Sequence, residues 1–214
     1  MELQKFSLAN DTLHLIPVIK DILKIAPEIK IMGSPWSPPA WMKTNERMNC
    51  GGSLKDEYKE VWACYFAKYI KMYKDEGVNL WGLSIQNEPM ATTPWDNCIY
   101  TSEQERDFVK HYLGPTLKEK YPEVKIIIWD HNRDVIVERA DTVLKDKEAR
   151  DYVWGTGLHW YVNEDFENLN ETEKLIDVYR VKHIALSEKY REVINNCCAA
   201  KEGRRMTTRG LLSP

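Results

Sequence analysis

The chain has 214 residues and a formal net charge of −3, with 43% apolar and 29% charged residues. This composition is typical of a globular protein, excludes a disordered chain, and gives no reason to expect a nucleic-acid partner. No run of 18 apolar residues occurs, so we expect no transmembrane helix. The N-terminal residues lack the basic-then-apolar plan of a signal peptide. Eight Trp and eleven Tyr stand against four Phe. Such side chains suit sugar-binding clefts, although an aromatic core would have the same composition.

The cysteines and histidines show no metal-binding or disulfide pattern. Five cysteines are irregularly spaced without a CxxC pair, and the five histidines contain no HExxH or HxH spacing. We therefore expect no metal site.

The first half of the chain alternates helices and strands. A helix is predicted over residues 11–25 with Asp11 as its cap, and a strand over residues 30–33. Ser53 and Asp56 resemble a capping box that opens a long helix, which Gly77 ends. A buried strand is predicted over residues 80–85.

The second half continues the alternation. Ser102 and Glu105 suggest a second capping box, in a helix that Gly114 and Pro115 interrupt. Strands are predicted at residues 125–130, 153–161 and 183–186, and helices at 135–144 and ending at 175–178. No strand pattern follows residue 188. We therefore expect residues 1–188 to form the folded domain and residues 189–214 to be a divergent tail.

Five apolar strands, each followed by room for a helix, predict an α/β fold with a parallel sheet. Two architectures compete, the doubly wound sheet and the (β/α)₈ TIM barrel. No GxGxxG or GxxxxGK[ST] loop follows a strand, which disfavours the nucleotide-binding sheets. The strand ends favour the barrel, because active sites of barrels collect at the carboxyl ends of the strands. Those ends read Ser34-Pro35-Trp36, Asn87-Glu88-Pro89, Asp130-His131-Asn132-Arg133, His159-Trp160-Tyr161 and Ser187-Glu188.

Glu88 and Glu188 suggest a pair of catalytic carboxylates. In glycoside hydrolysis one carboxyl group protonates the leaving oxygen, and a second attacks the anomeric carbon to form a covalent intermediate. Pro89 disfavours a helical backbone at Glu88, so we expect Glu88 to continue its strand in extended form.

Five motifs resemble glycoside hydrolase family 30, the glucosylceramidase-like family, and they occur in the family's order between Phe6 and Glu188. The segment NEPMATTPWDNCIYT resembles bacterial and fungal members, which include endo-β-1,6-glucanases, more than the animal lysosomal enzyme. The five motifs are SPWSPPAWMKTN, WGLSIQNEP, YTSEQERDFVKHYLGPTL, IIIWDHNRD and GLHWY.

The resemblance implies a (β/α)₈ barrel with an attached β-domain and a retaining mechanism that needs no cofactor. It makes Glu88 the acid/base catalyst and Asn87 a ligand of the sugar 2-hydroxyl. Glu188 takes the place of the nucleophile. Glu188 departs from the family pattern because Lys189 follows it. The alternative is that Glu188 is a solvated glutamate without a catalytic role.

The resemblance also implies substrate-binding roles for residues at four strand ends. Trp36 would line the sugar site, and Asp130 would bind the substrate or support a residue that does. His159, Trp160 and Tyr161 match the His-Trp-Tyr ending of the family's sixth strand. A buried histidine with only a structural role is the alternative for His159.

The substrate expected from the resemblance is a carbohydrate or glycolipid with β-linked glucose, either glucosylceramide or β-1,6-glucan. The alternatives are a xylan or galactan hydrolase of the same family and an inactive remnant or carbohydrate-binding pseudo-enzyme. The family implies an extracellular or lysosomal location. Only strands three to seven of the barrel are recognised, without strands one, two and eight or the β-domain. We therefore expect the chain alone to be aggregation-prone and inactive.

Overall fold

Six parallel strands form one sheet in the order β5-β4-β3-β2-β1-β6. The computed structural model describes residues 2–159, 161, 171, 174, 184–186 and 205–208, the last two ranges as backbone only. The strands are β1 (Lys30–Gly33), β2 (Gly82–Ser84), β3 (Lys125–His131), β4 (Val153–Leu158), β5 (Ile184–Leu186) and β6 (Arg205–Thr208).

The strand order identifies the type of sheet. Strands β1 to β5 are neighbours in the order in which they occur along the chain. A doubly wound sheet requires a reversal of strand order, and these five strands have none. The order is that of consecutive βα units in a barrel wall. The α/β class and parallel sheet are therefore confirmed, and the order of β1 to β5 favours the barrel over the doubly wound sheet.

Helices cover one face of this sheet. The outward side chains Ile31, Leu83 and Ile126 belong to the main hydrophobic core. The central helix adds fully buried rings of Trp62 and Phe66 to this core. Burial of apolar area against the helices is what holds the wall together. The helices are α1 (Ala9–Leu13), α2 (Leu15–Ile25), α3 (Lys59–Asp75), α4 (Ser102–Phe108), α5 (Gly114–Lys120), α6 (Ile136–Leu144) and α7 (Lys147–Arg150).

Several element boundaries differ from the prediction. The first helix is divided at His14 into α1 and α2. The capping box predicted at Ser53 is wrong, because Ser53 lies in a β-bridge with Ile99 and α3 begins at Lys59 after a 3₁₀ turn. Gly77 follows the end of α3 with a φ of 80°, as a helix-ending glycine does.

The helix that follows β2 starts one residue earlier than predicted. Thr101 is the N-cap and forms the capping box with Gln104. Between α4 and α5 the chain forms a π-helical turn, Val109–Leu113, and continues without a break. Pro115 lies in the first turn of α5, where a missing N–H is tolerated. The predicted interruption is therefore a change of helical pitch.

The structure corrects one expectation for the tail. Arg205–Thr208 pair in parallel with all four residues of β1, although no strand was predicted after residue 188. The helix predicted to end at residues 175–178, Trp160 and Glu188 lie outside the described residues. Within the described part of the chain, no helix is long and apolar enough to span a membrane.

Candidate active site

Glu88 lies just beyond the carboxyl end of β2, with about a fifth of its side chain exposed. Its backbone φ is 48°, in the left-handed region. Its N–H donates to the carbonyl of Asp130 at 3.0 Å, and its carbonyl accepts from Ala91 at 2.9 Å. The predicted extended conformation is therefore wrong. Pro89 disfavours only the right-handed helical region at Glu88. The hydrogen bond to β3 holds Glu88 in the left-handed region.

Asp130 occupies a bulge near the end of β3. Trp129 and Asp130 have φ values of 71° and 51°, and the register with β4 shifts between Trp129 and His131. Bulges of this kind turn side chains in new directions. Gly157 of β4 makes room for it, since a Cβ there would lie 3.2 Å from the Asp130 Cα and 3.3 Å from its Oδ1.

His159 connects the two carboxylates. The residue follows β4 and is fully buried. Its Nδ1 lies 3.1 Å from Glu88 Oε1, and its Nε2 lies 3.2 Å from Asp130 Oδ1. An imidazole that meets two carboxyl groups fixes their separation and orientation. His159 is thus a buried histidine with a carboxyl partner for each ring nitrogen, and its predicted role at the site stays a prediction.

Two buried serines extend this network to the neighbouring strands. Ser34, after β1, donates to Asp130 Oδ2 at 2.5 Å. Ser84, the last residue of β2, donates to Ser34 Oγ at 2.9 Å. Each of the strands β1 to β4 thus contributes a side chain to one continuous hydrogen-bonded network, from Ser84 to Glu88.

A buried ion pair supports the bulge from the helix side. Glu105 of α4 accepts the Trp129 N–H at 2.7 Å, and Arg139 of α6 lies 3.4 Å from the other Glu105 oxygen. The Arg139 guanidinium also lies over the Trp129 ring, 4.9 Å from its centroid. Burial raises the pKa of the Glu105 carboxyl, and the Arg139 charge opposes that rise. Glu105 therefore acts as a support residue and not, as predicted, as part of a capping box.

Hydrogen bonds join Asn87 to the loop that carries Trp36. Asn87 is buried, and its N–H donates to the Pro35 carbonyl at 2.8 Å. The buried amide of Gln86 donates to the carbonyls of Trp36 and Asn87, at 2.7 Å and 2.9 Å. Gln86 thus joins the loop after β1 to the end of β2.

The loops that follow β1 and β2 are tied together by a buried lysine. Lys43 is fully buried, and its Nζ donates to the carbonyls of Asn97 at 2.5 Å and Met48 at 3.1 Å. The Asn97 side chain in turn accepts the Gly51 N–H at 2.6 Å. Burial lowers the pKa of Lys43. The two loops therefore form one hydrogen-bonded unit beside the site.

The pKa values of Glu88 and Glu105 are shifted in opposite directions. The hydrogen bond from His159 lowers the pKa of Glu88 and outweighs the effect of burial. Burial lowers the pKa of His131, the last residue of β3. Glu88 is thus held in the ionised form, which can accept a proton.

The structure brings together three of the predicted site residues: Glu88, Asp130 and His159. Tyr161 is mostly exposed, and its ring meets the His159 ring edge-on at 6.1 Å. The sequence predicted no site role for four residues that contact or support the site, although the first two stand in the quoted strand ends: Ser34, His131, Ser84 and Glu105.

The chain was then compared with known proteins. The family model described as "Glycosyl hydrolase family 30 TIM-barrel domain" matches residues 1–189. The chain belongs to glycoside hydrolase family 30. The resemblance and the barrel-type fold class predicted from the motifs are thereby confirmed.

The curated relatives include animal and fungal enzymes. Putative glucosylceramidase 3 of Caenorhabditis elegans is 38% identical over 85% of this chain and 36% of its own length. Lysosomal acid glucosylceramidase of Mus musculus is 38% identical over 81% and 36%. Endo-1,6-beta-D-glucanase neg1 of Aspergillus fumigatus is 30% identical over 78% and 38%. Over the whole match, the identity to these animal enzymes is higher than to this fungal enzyme. The predicted likeness of the segment NEPMATTPWDNCIYT to bacterial and fungal members stays a prediction.

Two solved structures have the same fold. SrfJ from Salmonella typhimurium superimposes with a TM-score of 0.83 at 33% identity, over 95% of this chain and 49% of that one. The endo-β1,6-glucanase BT3312 gives a TM-score of 0.77 at 30% identity, over 87% and 43%. The chain spans about a third of the length of these curated relatives and under half of each solved structure.

Proposed function

We propose that the chain carries the acid/base half of a retaining β-glycosidase that cleaves β-linked glucose. The observation that supports this most is the placement of Glu88 at the carboxyl end of a barrel strand. Its carboxyl group is partly exposed, 3.1 Å from a fully buried histidine that also meets Asp130. A catalytic carboxyl group needs this combination of access and fixed orientation.

The proposed reaction has two steps. In the first, the Glu188 carboxylate attacks the anomeric carbon and forms a glycosyl ester, while the glycosidic C–O bond breaks and the leaving oxygen takes the Glu88 proton and departs as an alcohol. In the second, Glu88 accepts a proton from water, and the water oxygen attacks the anomeric carbon and releases Glu188. The lowered pKa of Glu88 suits the second step. An ionised Glu188 across the bond would raise the Glu88 pKa for the first step.

Neighbouring residues supply substrate contacts in this proposal. Asn87 would bind the sugar 2-hydroxyl, and Trp36, Trp160 and Tyr161 would offer aromatic faces to the ring. Asp130 is fully engaged by Ser34 and His159 on its described contacts. This favours Asp130 as the residue that orients His159 over a direct sugar ligand.

Glucosylceramide or β-1,6-glucan is the proposed substrate. The relatives named as glucosylceramidases and as β-1,6-glucanases support a glucose site. The 38% identity to relatives named as glucosylceramidases favours a glucose-type substrate over xylan or galactan. For the whole protein we propose an extracellular or lysosomal location, as the resemblance implies.

We propose further that the 214-residue chain alone does not turn over substrate. The strands described number six, whereas a closed barrel of this type has eight. An open wall leaves strand edges unpaired and the mouth of the barrel incomplete. The inactive-remnant alternative predicts the same for the chain, so a longer protein that contains it must be tested.

The deciding experiment compares two substrates in that longer protein. Glu88→Gln should lower hydrolysis of an alkyl β-glucoside by about 10²- to 10⁴-fold, because its leaving group needs a proton. Hydrolysis of a dinitrophenyl β-glucoside by this variant should fall far less, and azide should restore its turnover. Glu103→Gln, an exposed glutamate on α4, is the matched control.

Two results would contradict the proposal. Equal losses on both substrates would show that Glu88 is not the acid/base catalyst. A cyclophellitol-type probe that labels a residue other than Glu188 would refute the nucleophile assignment.

A further inference from the structure

Three potential metal ligands meet at the ends of three adjacent strands. Glu88 follows β2, His131 ends β3 and His159 follows β4, and one ligand atom from each lies within 4.8 Å of the others. We propose that these side chains form a binding site for a divalent metal ion of the zinc type. Two imidazoles and one carboxylate are a donor set that zinc sites use, with a fourth position left for water.

The surroundings of His159 fit a metal ligand. Its Nε2 lies 3.2 Å from Asp130 Oδ1. When Nε2–H donates to this carboxylate, the lone pair of Nδ1 points toward Glu88, 3.1 Å away. A carboxylate behind a metal-bound histidine is the usual way in which proteins fix its tautomer and direction. In the metal-free chain a proton on Nδ1 gives the hydrogen bond to Glu88 described above, and a metal ion would take the place of that proton.

His131 supplies the second nitrogen. Its Nδ1 is buried and has no hydrogen-bond partner within the part of the chain that the structure describes. Its backbone carbonyl accepts the His159 N–H at 2.7 Å, so the two histidines are held together. The carboxyl groups of Glu88 and Asp130 lie 3.1 Å and 3.2 Å from the His159 nitrogens, and their negative charge favours a dication.

The distances allow coordination after small movements. Zinc–nitrogen bonds of about 2.0–2.1 Å in a tetrahedron place neighbouring donor atoms roughly 3.3–3.4 Å apart. The Glu88–His159 pair is already at 3.1 Å, and no two of the three ligand atoms lie more than 4.8 Å apart. Side-chain rotations that move a ligand atom by about 1.5 Å close that gap. The partly exposed Glu88 leaves a path from solvent.

Metal binding would occupy Glu88 and prevent it from transferring a proton. Only this inhibitory consequence rests on the proposed function; the metal site itself depends on the three side chains alone. The sequence showed no metal pattern because the ligands come from three separate strand ends, not from one helix or one short motif.

The test is a Co²⁺ titration of the metal-free 214-residue chain, followed by its visible absorption. Accessible thiols are first alkylated with iodoacetamide, because the chain contains five cysteines. We expect one Co²⁺ per chain, with at least tenfold weaker binding in His131→Gln and His159→Gln. Asp130→Asn should weaken binding by about 10- to 100-fold, as loss of a supporting carboxylate does. His14→Gln and His111→Gln remove exposed histidines and should not change it.

A second measurement covers variants that do not fold. X-ray absorption of Zn²⁺ bound to the unaltered chain should show only nitrogen and oxygen neighbours, with imidazole scattering. Sulfur ligation, or unchanged Co²⁺ binding in a folded His131→Gln, would overturn the site. In the longer protein, zinc binding that leaves β-glucoside hydrolysis unaffected would confirm the site and overturn the inhibition. Absence of hydrolysis even without metal would count against the proposed function alone.

Discussion

The two ends of the same strands are built differently. At the carboxyl end, polar side chains form one buried network, and Glu88, Trp129 and Asp130 have left-handed backbone. At the amino end, the rings of Trp81 and Trp154 meet edge-on at 4.6 Å, and Lys30 lies over the Trp81 ring. At the carboxyl end, holding charged groups in place lowers the stability of the fold. At the amino end, burial of aromatic rings raises it.

The comparison shows why the polar end needs support from outside the barrel wall. Left-handed conformations at non-glycine residues cost about 1–3 kcal/mol each and persist only where surrounding contacts enforce them. Glu105 and Gly157 provide such contacts, one by accepting a backbone N–H and the other by leaving space. Changes at these two positions should therefore affect the polar end most.

The largest effect is expected for Glu105→Ala. It leaves the Arg139 charge and the Trp129 N–H without their buried partner, so the free energy of unfolding should fall by about 3–5 kcal/mol in urea denaturation. Glu105→Gln keeps an acceptor for the N–H and should lose less. Glu119→Ala, an exposed glutamate on α5, should change little. Equal effects of Glu105→Ala and Glu119→Ala would contradict the support role.

Gly157→Ala should come next, because the new Cβ lies within 3.3 Å of Asp130 and Ile127 atoms. Overpacking of this kind costs about 1–3 kcal/mol. The imidazole NMR signals of His159 should also shift, because Asp130 is displaced. Gly82→Ala is the matched control: its Cβ would lie 3.1 Å from the Lys125 carbonyl, near the amino end. Equal shifts of the His159 signals in Gly157→Ala and Gly82→Ala would contradict the proposed difference between the two ends of the strands.

Trp154→Ala should have a smaller effect, confined to stability. Loss of the edge-on pair with Trp81 removes about 0.5–1.5 kcal/mol in addition to the buried area. The His159 signals should stay in place, since the two rings lie at the opposite end of the strands. A shift of those signals would mean that the two ends are coupled.

The smallest effect is a pH dependence from Glu105. Its pKa in the folded chain is raised above the ordinary 4.5. As pH rises from 4.5, the unfolded chain therefore loses this proton first, and folding becomes less favourable until the folded-state pKa is passed. Wild type should lose stability relative to Glu105→Gln across this window. Parallel stability curves for the two proteins would show that Glu105 ionises normally.

The sequence was sufficient to locate the site but not to describe its backbone. The apolar run over residues 30–33 predicted β1 with its observed bounds, and polar strand ends predicted that Glu88, Asp130 and His159 would meet. The bulge at Asp130 was not predictable, because it depends on how β3 and β4 are aligned. The role of Glu105 depends on a partner 34 residues away. Periodicity reports local structure, whereas these features arise from contacts between elements.

The lysine buried between the loops after β1 and β2 has a consequence for exchange of loops among relatives. Because Lys43 of one loop binds the Asn97 carbonyl of the other, neither loop has an independent conformation. A graft of either loop alone would leave a buried ammonium group or a carbonyl without its partner. A chimaera should therefore exchange residues 34–55 and 87–100 together, and the same pairing would hold for any sugar preference of the proposed site.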